Sequence, residues 1–209
     1  MKKIYIVGTA KQYSKWIVDH ELTDNLEESD IIIFTGGEDV DPSIYNCKKH
    51  PTTHSNLRRD LEEKEIFEKV RPDQLCIGIC RGSQLMCCLN GGILVQNVSN
   101  HATFGTHTII NAKNVNDRYE ITSTHHQMQY PFYLSRNEYC VLYYTQRRSG
   151  FYEGDQIHTP PCEPEIVLYT VKDKPKCLAI QGHPEIMRSD APVIKMLNNL
   201  IDNLCYGTR

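Results

Sequence analysis

The order of apolar and polar positions gives the two halves of the chain different characters. In the first half, short apolar runs alternate with amphipathic stretches. Ile4, Tyr5, Ile6 and Val7 form a run closed by Gly8, the pattern of a buried strand. Residues 11–20 are amphipathic and predict a helix. Ser29 and Asp30 lead into Ile31-Ile32-Ile33-Phe34, a second β-branched run stopped by Thr35-Gly36-Gly37. Residues 38–56 are rich in Asp, Pro, Asn, Lys and His without a period, and read as a long functional loop. Leu57, Leu61, Ile66, Phe67 and Val70 recur among charges, predicting a helix that Arg71-Pro72-Asp73 ends. Leu75-Cys76-Ile77-Gly78-Ile79 predicts another buried strand. It runs directly into Cys80-Arg81-Gly82 and a helix over 83–90, ended by Gly91 and Gly92.

The second half carries short strand-like pieces at 93–96, 106–110, 119–122 and 139–145. A Thr-Pro-Pro loop follows at 159–161, then strands at 165–171 and 177–180 and an amphipathic helix over 191–204. Alternating strand and helix in the first half predict an α/β fold, a mostly parallel central sheet flanked by helices. The hairpin-rich second half predicts some antiparallel strands in the same sheet. At 209 residues the chain reads as a single domain, 1–209, able to bury a core without staples.

Composition changes the picture by exclusion. With 40% hydrophobic and 23% charged residues and a net charge of −3, no basic footprint for nucleic acid stands out. No stretch approaches the roughly 18–20 apolar residues of a membrane span. The apolar run after Lys2 and Lys3 is too short for a signal-peptide core, so the expected location is cytoplasmic. There the nine cysteines should stay reduced, most of them as small buried hydrophobes.

Three segments carry chemistry. In Gly78-Ile79-Cys80-Arg81-Gly82 a strand, a sharp turn and a helix meet at one cysteine. This is the arrangement of a nucleophile elbow with Cys in place of Ser. A helix N-terminus favours the thiolate, and the N–H after the nucleophile points where an oxyanion develops. Alone, the pentapeptide is equally a buried cysteine beside a glycine turn. Gln181-Gly182-His183-Pro184-Glu185 follows a strand, at the sheet edge where open α/β folds bind ligands. It supplies a base, His183, and a carboxylate, Glu185, to hold its tautomer. Taken alone, it reads rather as a loop histidine with a surface glutamate. The Gly36-Gly37 turn is a further source of oxyanion N–H donors. Cys47, His50 and His54 have spacing reminiscent of zinc ligands, but no fourth ligand is evident, and no metal or organic cofactor is expected. No phosphate-binding glycine loop occurs, and residues 11–28 give no functional clue.

Six segments in order resemble a class I glutamine amidotransferase domain, most closely the γ-glutamyl-γ-aminobutyrate hydrolase branch of the C26 peptidases. They are TGGEDVDPSIY at 35–45, Arg59-Asp60 with Glu63, GICRGSQ at 78–84, GGILVQ at 91–96, STHHQ at 123–127 and QGHPE at 181–185. The resemblance implies a cysteine-dependent hydrolase of γ-glutamyl amides that forms a γ-glutamyl thioester. It implies Cys80 as nucleophile, His183 as proton shuttle, Glu185 as its orienting group, and an oxyanion hole from the backbone of Gly37 and Arg81. Gly36, Gln84, His125, His126 and Gln127 would bind substrate. The chain departs from the branch in Thr122-Ser123-Thr124, where Asn-Ser is usual, and in being pared down around 97–120 and 146–165. These places bear on the leaving group more than on the catalytic step. The partner is then a small γ-glutamyl substrate. If the protein instead delivers ammonia, it needs a synthetase partner; a homodimer stays open, as does a catalytically silent module on the same fold.

Overall fold

The computed structural model describes residues 1–207, with Phe104 described by its backbone alone. The early strands are β1 (Lys2–Val7), β2 (His20–Leu22), β3 (Ile31–Phe34) and β4 (Leu75–Ile79). Then come β5 (Ile93–Val95), β6 (Asn97–Val98), β7 (Ala102–Asn111), β8 (Arg118–Thr124) and β9 (Met128–Tyr130). The last are β10 (Tyr139–Thr145), β11 (Tyr152–Glu153), β12 (Glu163–Tyr169) and β13 (Lys176–Ile180). The helices are α1 (Leu57–Lys69), α2 (Arg81–Leu89) and α3 (Pro192–Tyr206).

Nine strands form one sheet in the order β2-β1-β3-β4-β13-β12-β10-β7-β8. β2, β1, β3, β4 and β13 run parallel, and β12, β10, β7 and β8 continue antiparallel. This is the mixed sheet expected from the sequence. Successive strand residues face opposite sides, so each apolar run feeds two cores. Ile31, Ile33 and Ile77 pack with Val193, Leu197 and Ile201 of α3. Ile32, Phe34 and Cys76 pack with Phe67 of α1 and Met86 of α2. Cover on both faces explains why β3 and β4 are apolar at nearly every position.

The helix expected over 11–20 does not form. Lys11–Ser14 makes one 3-10 turn, and the chain then extends into β2. Local and tertiary hydrogen bonds replace the helical ladder. Ser14 Oγ donates to Lys11 O, and the His20 ring contacts Ile17 O and Ser14 Oγ. Asn198 of α3 donates to Trp16 O and accepts from the Val18 N–H. These bonds fix the apolar Trp16 and Ile17 in the core without helix. The 38–56 loop is irregular apart from a 3-10 turn at Pro42–Tyr45, capped by Asp41. Gln96 pins it, accepting from His50 N–H and Thr53 Oγ1 and donating to Lys48 O.

The closest backbone packing is at the start of α2. A Cβ on Gly82 would lie 2.1 Å from the Phe34 carbonyl oxygen, and one on Gly78 would lie 2.4 Å from the Gly82 oxygen. Neither neighbour is a flexible side chain, so the backbone itself must shift. Gly82→Ala should cost about 3 kcal/mol or more in a denaturant titration, whereas Gly105→Ala, whose Cβ would meet the Thr103 oxygen only at an ordinary 3.9 Å, should change stability by less than about 1 kcal/mol. Equal stability of the two variants would contradict this packing.

Candidate active site

Cys80 lies between β4 and α2 with φ 52° and ψ −109°, a conformation rare for a residue with a side chain. Its N–H donates to Ile180 O at the end of β13, and its carbonyl accepts from Ser83 Oγ and the Ser83 N–H. The side chain is only 9% exposed, so the thiol forms the floor of the site. β13 lies beside β4, and the segment after it delivers His183. The His183 N–H is held by Thr122 Oγ1 at 2.7 Å. Its ring Nδ1 stands 2.7 Å from Glu185 Oε1, itself almost fully buried. A carboxylate accepts the Nδ1 proton, which leaves Nε2 for the thiol. Burial alone would push the His183 pKa down. Hydrogen bonds to Cys80 and Glu185, and their negative charges, override it and push the ring up to about 10. Cys80, His183 and Glu185 therefore stand in series, an arrangement able to hold a thiolate against an imidazolium.

Gly36 closes the other side. A Cβ there would lie 3.2 Å from His183 Cε1 and 3.7 Å from Cys80 Cβ, so the glycine lets the backbone approach both. Gly37 has φ +150°, and a Cβ on it would lie 2.1 Å from Arg59 Nη1. Arg59 donates to Gly36 O and Thr35 Oγ1 and pairs with Glu63. Arg81, buried immediately after the nucleophile, pairs with Asp60 and Glu63. One face of α1 thus braces both the glycine turn and the elbow.

The expected substrate residues are placed as follows. Gln84 is buried and donates to Gln127 O, and Gln127 in turn donates to Thr53 Oγ1. His126 hydrogen-bonds Asp39, which holds its pKa above the usual value against the cost of burial. His125 turns inward, with Nδ1 on Gln127 O and its ring against His101. Ser123 donates to His101 O from full burial, a structural role. Cys47 lies near Asp155, while His50 contacts Thr52 and Glu153.

One site residue had no sequence signal. Tyr13 comes from the 3-10 turn of the misread segment, and its hydroxyl lies 2.8 Å from where a Gly36 Cβ would be. Burial, then the charges of Glu185 and Cys80, raise its pKa, while a hydrogen bond from the Gly36 N–H acts the other way. No motif surrounds Tyr13; only the return of β1 to the sheet edge brings it here.

The fold is that of class I glutamine amidotransferase domains. Residues 16–143 match the model of the Peptidase C26 family, and the chain belongs to that family. It is 29% identical over 123 residues to Protein NtpR of Enterococcus hirae, covering 49% of this chain and 52% of that protein. It is 35% identical over 72 residues to a glutamine amidotransferase-like YvdE homolog of Lactococcus lactis, covering 34% of this chain and 38% of that one. The chain thus spans about half or less of these curated relatives. Among solved structures, a glutamine amidotransferase from Thermotoga maritima superposes with TM-score 0.54 at 14% identity, covering 96% of this chain and 84% of that one. The glutaminase domain of Trypanosoma brucei CTPS gives 0.59 at 10% identity, covering 100% and 96%. At these identities the structures show a shared fold. Among the described residues, no helix is long and apolar enough to cross a membrane.

All nine cysteines are free. Burial pushes the partly accessible Cys162 and Cys205 up to about 11, which keeps them as thiols near neutral pH. Limited iodoacetamide treatment at pH 7 should therefore alkylate Cys80 ahead of both, and His183→Ala should slow that reaction several-fold. Peptide mapping that finds Cys162 or Cys205 labelled first would contradict this ordering.

Proposed function

We propose that the protein hydrolyses γ-glutamyl amide bonds through a γ-glutamyl thioester on Cys80. The observation that carries this reading is the series Cys80, His183 and Glu185, with Glu185 2.7 Å from the ring nitrogen that faces away from the thiol. The Cys80 thiolate adds to the γ-carbonyl carbon, forming a C–S bond and a tetrahedral oxyanion. N–H groups of Gly37 and Arg81 receive that oxyanion, each donor contributing about 3–4 kcal/mol in comparable sites. Collapse breaks the C–N bond as imidazolium His183 gives its proton to the leaving amine. Water then attacks the thioester, its proton goes to His183, and glutamate leaves with the thiolate restored. Gly36, His126 and Gln127 would contact the glutamyl portion, with Gln84 acting through Gln127. The leaving group lies on the side of Thr122, which fixes the backbone of His183.

A second reading keeps the same chemistry but takes glutamine as substrate and passes ammonia to a partner synthetase. The fold shared with the CTPS glutaminase domain favours it. Incubating the purified chain alone with L-glutamine and a panel of γ-glutamyl amines, while following glutamate release, separates the two. Turnover of an amine well above that of glutamine supports the free-standing hydrolase. Weak glutaminase activity alone supports the subunit.

Cys80→Ala should abolish turnover while the circular dichroism spectrum stays unchanged. Persisting hydrolysis in the folded variant would exclude the mechanism. Glu185→Gln should lower kcat by on the order of 10²–10⁴-fold. It removes a negative charge that raises the His183 pKa, so the acid form is lost at lower pH. The alkaline limb of the pH–rate profile, expected near pH 10 for the wild type, should then move down. A limb that stays in place would show that another group sets it.

A further inference from the structure

A second cluster of titratable groups lies behind the catalytic histidine, in the antiparallel half of the sheet. His101 precedes β7, His125 follows β8, and Glu165 lies on β12; all three are buried. One potential ligand atom from each falls within 4.8 Å of the others. His101 Nδ1 is 3.8 Å and His125 Nε2 4.0 Å from Glu165 Oε1, somewhat wider than the ~3.3 Å edge of a tetrahedral zinc shell.

The hydrogen bonds on the far side of each ring fix which nitrogen points inward. His125 Nδ1 stands 2.8 Å from the Gln127 carbonyl, which only accepts, so Nδ1 carries the proton and Nε2 a lone pair. His101 Nε2 stands 3.1 Å from the Glu163 carboxylate, so Nδ1 carries the inward lone pair. His101 Nδ1, His125 Nε2 and both Glu165 oxygens are buried without a hydrogen-bond partner. His107 Nε2 approaches Glu165 Oε1 from one side at 2.8 Å, which leaves Oε2 free. Two lone pairs and a carboxylate facing one dry point repel each other unless a cation sits between them. Among the described residues the ion-pair partners of the buried carboxylates Glu163 and Glu165 are imidazoles, and Glu163 also accepts from the Arg148 and Ser149 N–H groups and the Tyr152 hydroxyl, so a dication would balance the charge left on Glu165. A ligating imidazole whose other nitrogen is held by a carboxylate or a carbonyl is the usual outer shell of a metal site.

We infer that His101, His125 and Glu165 form a structural site for a first-row divalent cation of the zinc type. An imidazole-rich donor set with one carboxylate suits zinc better than calcium or magnesium. The cation would tie β7, the β8–β9 turn and β12 together. Glu165 O accepts the Gln181 N–H, two residues before His183, so the clamp supports the strand end that presents the catalytic base.

The test uses tag-free protein in a Cys80→Ala background, so that the catalytic thiol cannot bind metal. After chelator treatment the protein is titrated with cobalt(II), followed by visible spectroscopy and thermal melting. Expected is binding of about one equivalent with nitrogen–oxygen d–d bands and no thiolate charge-transfer band, together with a raised Tm. His101→Gln and Glu165→Gln should each weaken that binding by about 10–100-fold. The parent's own titration stays decisive if a variant fails to fold. No stoichiometric binding by the folded parent, a thiolate band, or undiminished binding in both folded variants would overturn the site.

Discussion

The structure turns on a single backbone constraint: Cys80 must hold a positive φ between a strand and a helix that pack with no room for a Cβ. A strained residue of this kind costs on the order of 1–3 kcal/mol and persists only where its surroundings over-determine it. Here Gly82 lies against the Phe34 carbonyl, Gly78 lies under Gly82, and the Cys80 N–H is spent on Ile180. The first two contacts seat α2 on β3 and β4. The third joins Cys80 to β13. The same contacts that fix the thiol therefore fix the strand end from which His183 emerges, and the distance between them is set by sheet packing rather than by loop choice.

The charged groups under the elbow position more than they stabilise. A buried ion pair gains little over well-packed apolar residues, because desolvation consumes most of the attraction. Asp60 shows this directly: burial holds its carboxyl above the usual value despite the adjacent Arg81. What Asp60 and Glu63 obtain is geometry. Asp60 accepts the Asp41 N–H as well as Arg81, and Glu63 receives both Arg59 and Arg81. The two backbone stretches on either side of the thiol are thus referred to one rigid helix.

Legibility in the sequence followed from how local each feature is. Strands β3, β4 and β13 could be read because a run of apolar residues covered on both faces needs no partner to be recognised. The elbow and the Gln181–Glu185 segment were legible because glycines and chemistry-bearing residues sit within a few positions of one another. Residues 11–20 failed because their helical period is real but is outcompeted by Asn198, 180 residues away in sequence from Val18. Tyr13 was invisible for the same reason. The buried imidazoles were half legible: His125 stood within a recognised segment, but the partners that turn it inward, His101 and Glu165, come from strands with no motif of their own.

This division also explains the different environments of the two histidine groups. His183 sits at the edge between the parallel and antiparallel halves, partly exposed, and its two anionic neighbours keep it protonated. His125 sits inside the antiparallel half, where burial outweighs its neighbours and pushes the ring down to about 3. The same side-chain type therefore meets opposite environments in one sheet: hydrogen-bonding partners at His183 and full burial at His125. Glu165 O accepts the Gln181 N–H, so the strand that carries the buried cluster also anchors the segment leading by two residues to His183.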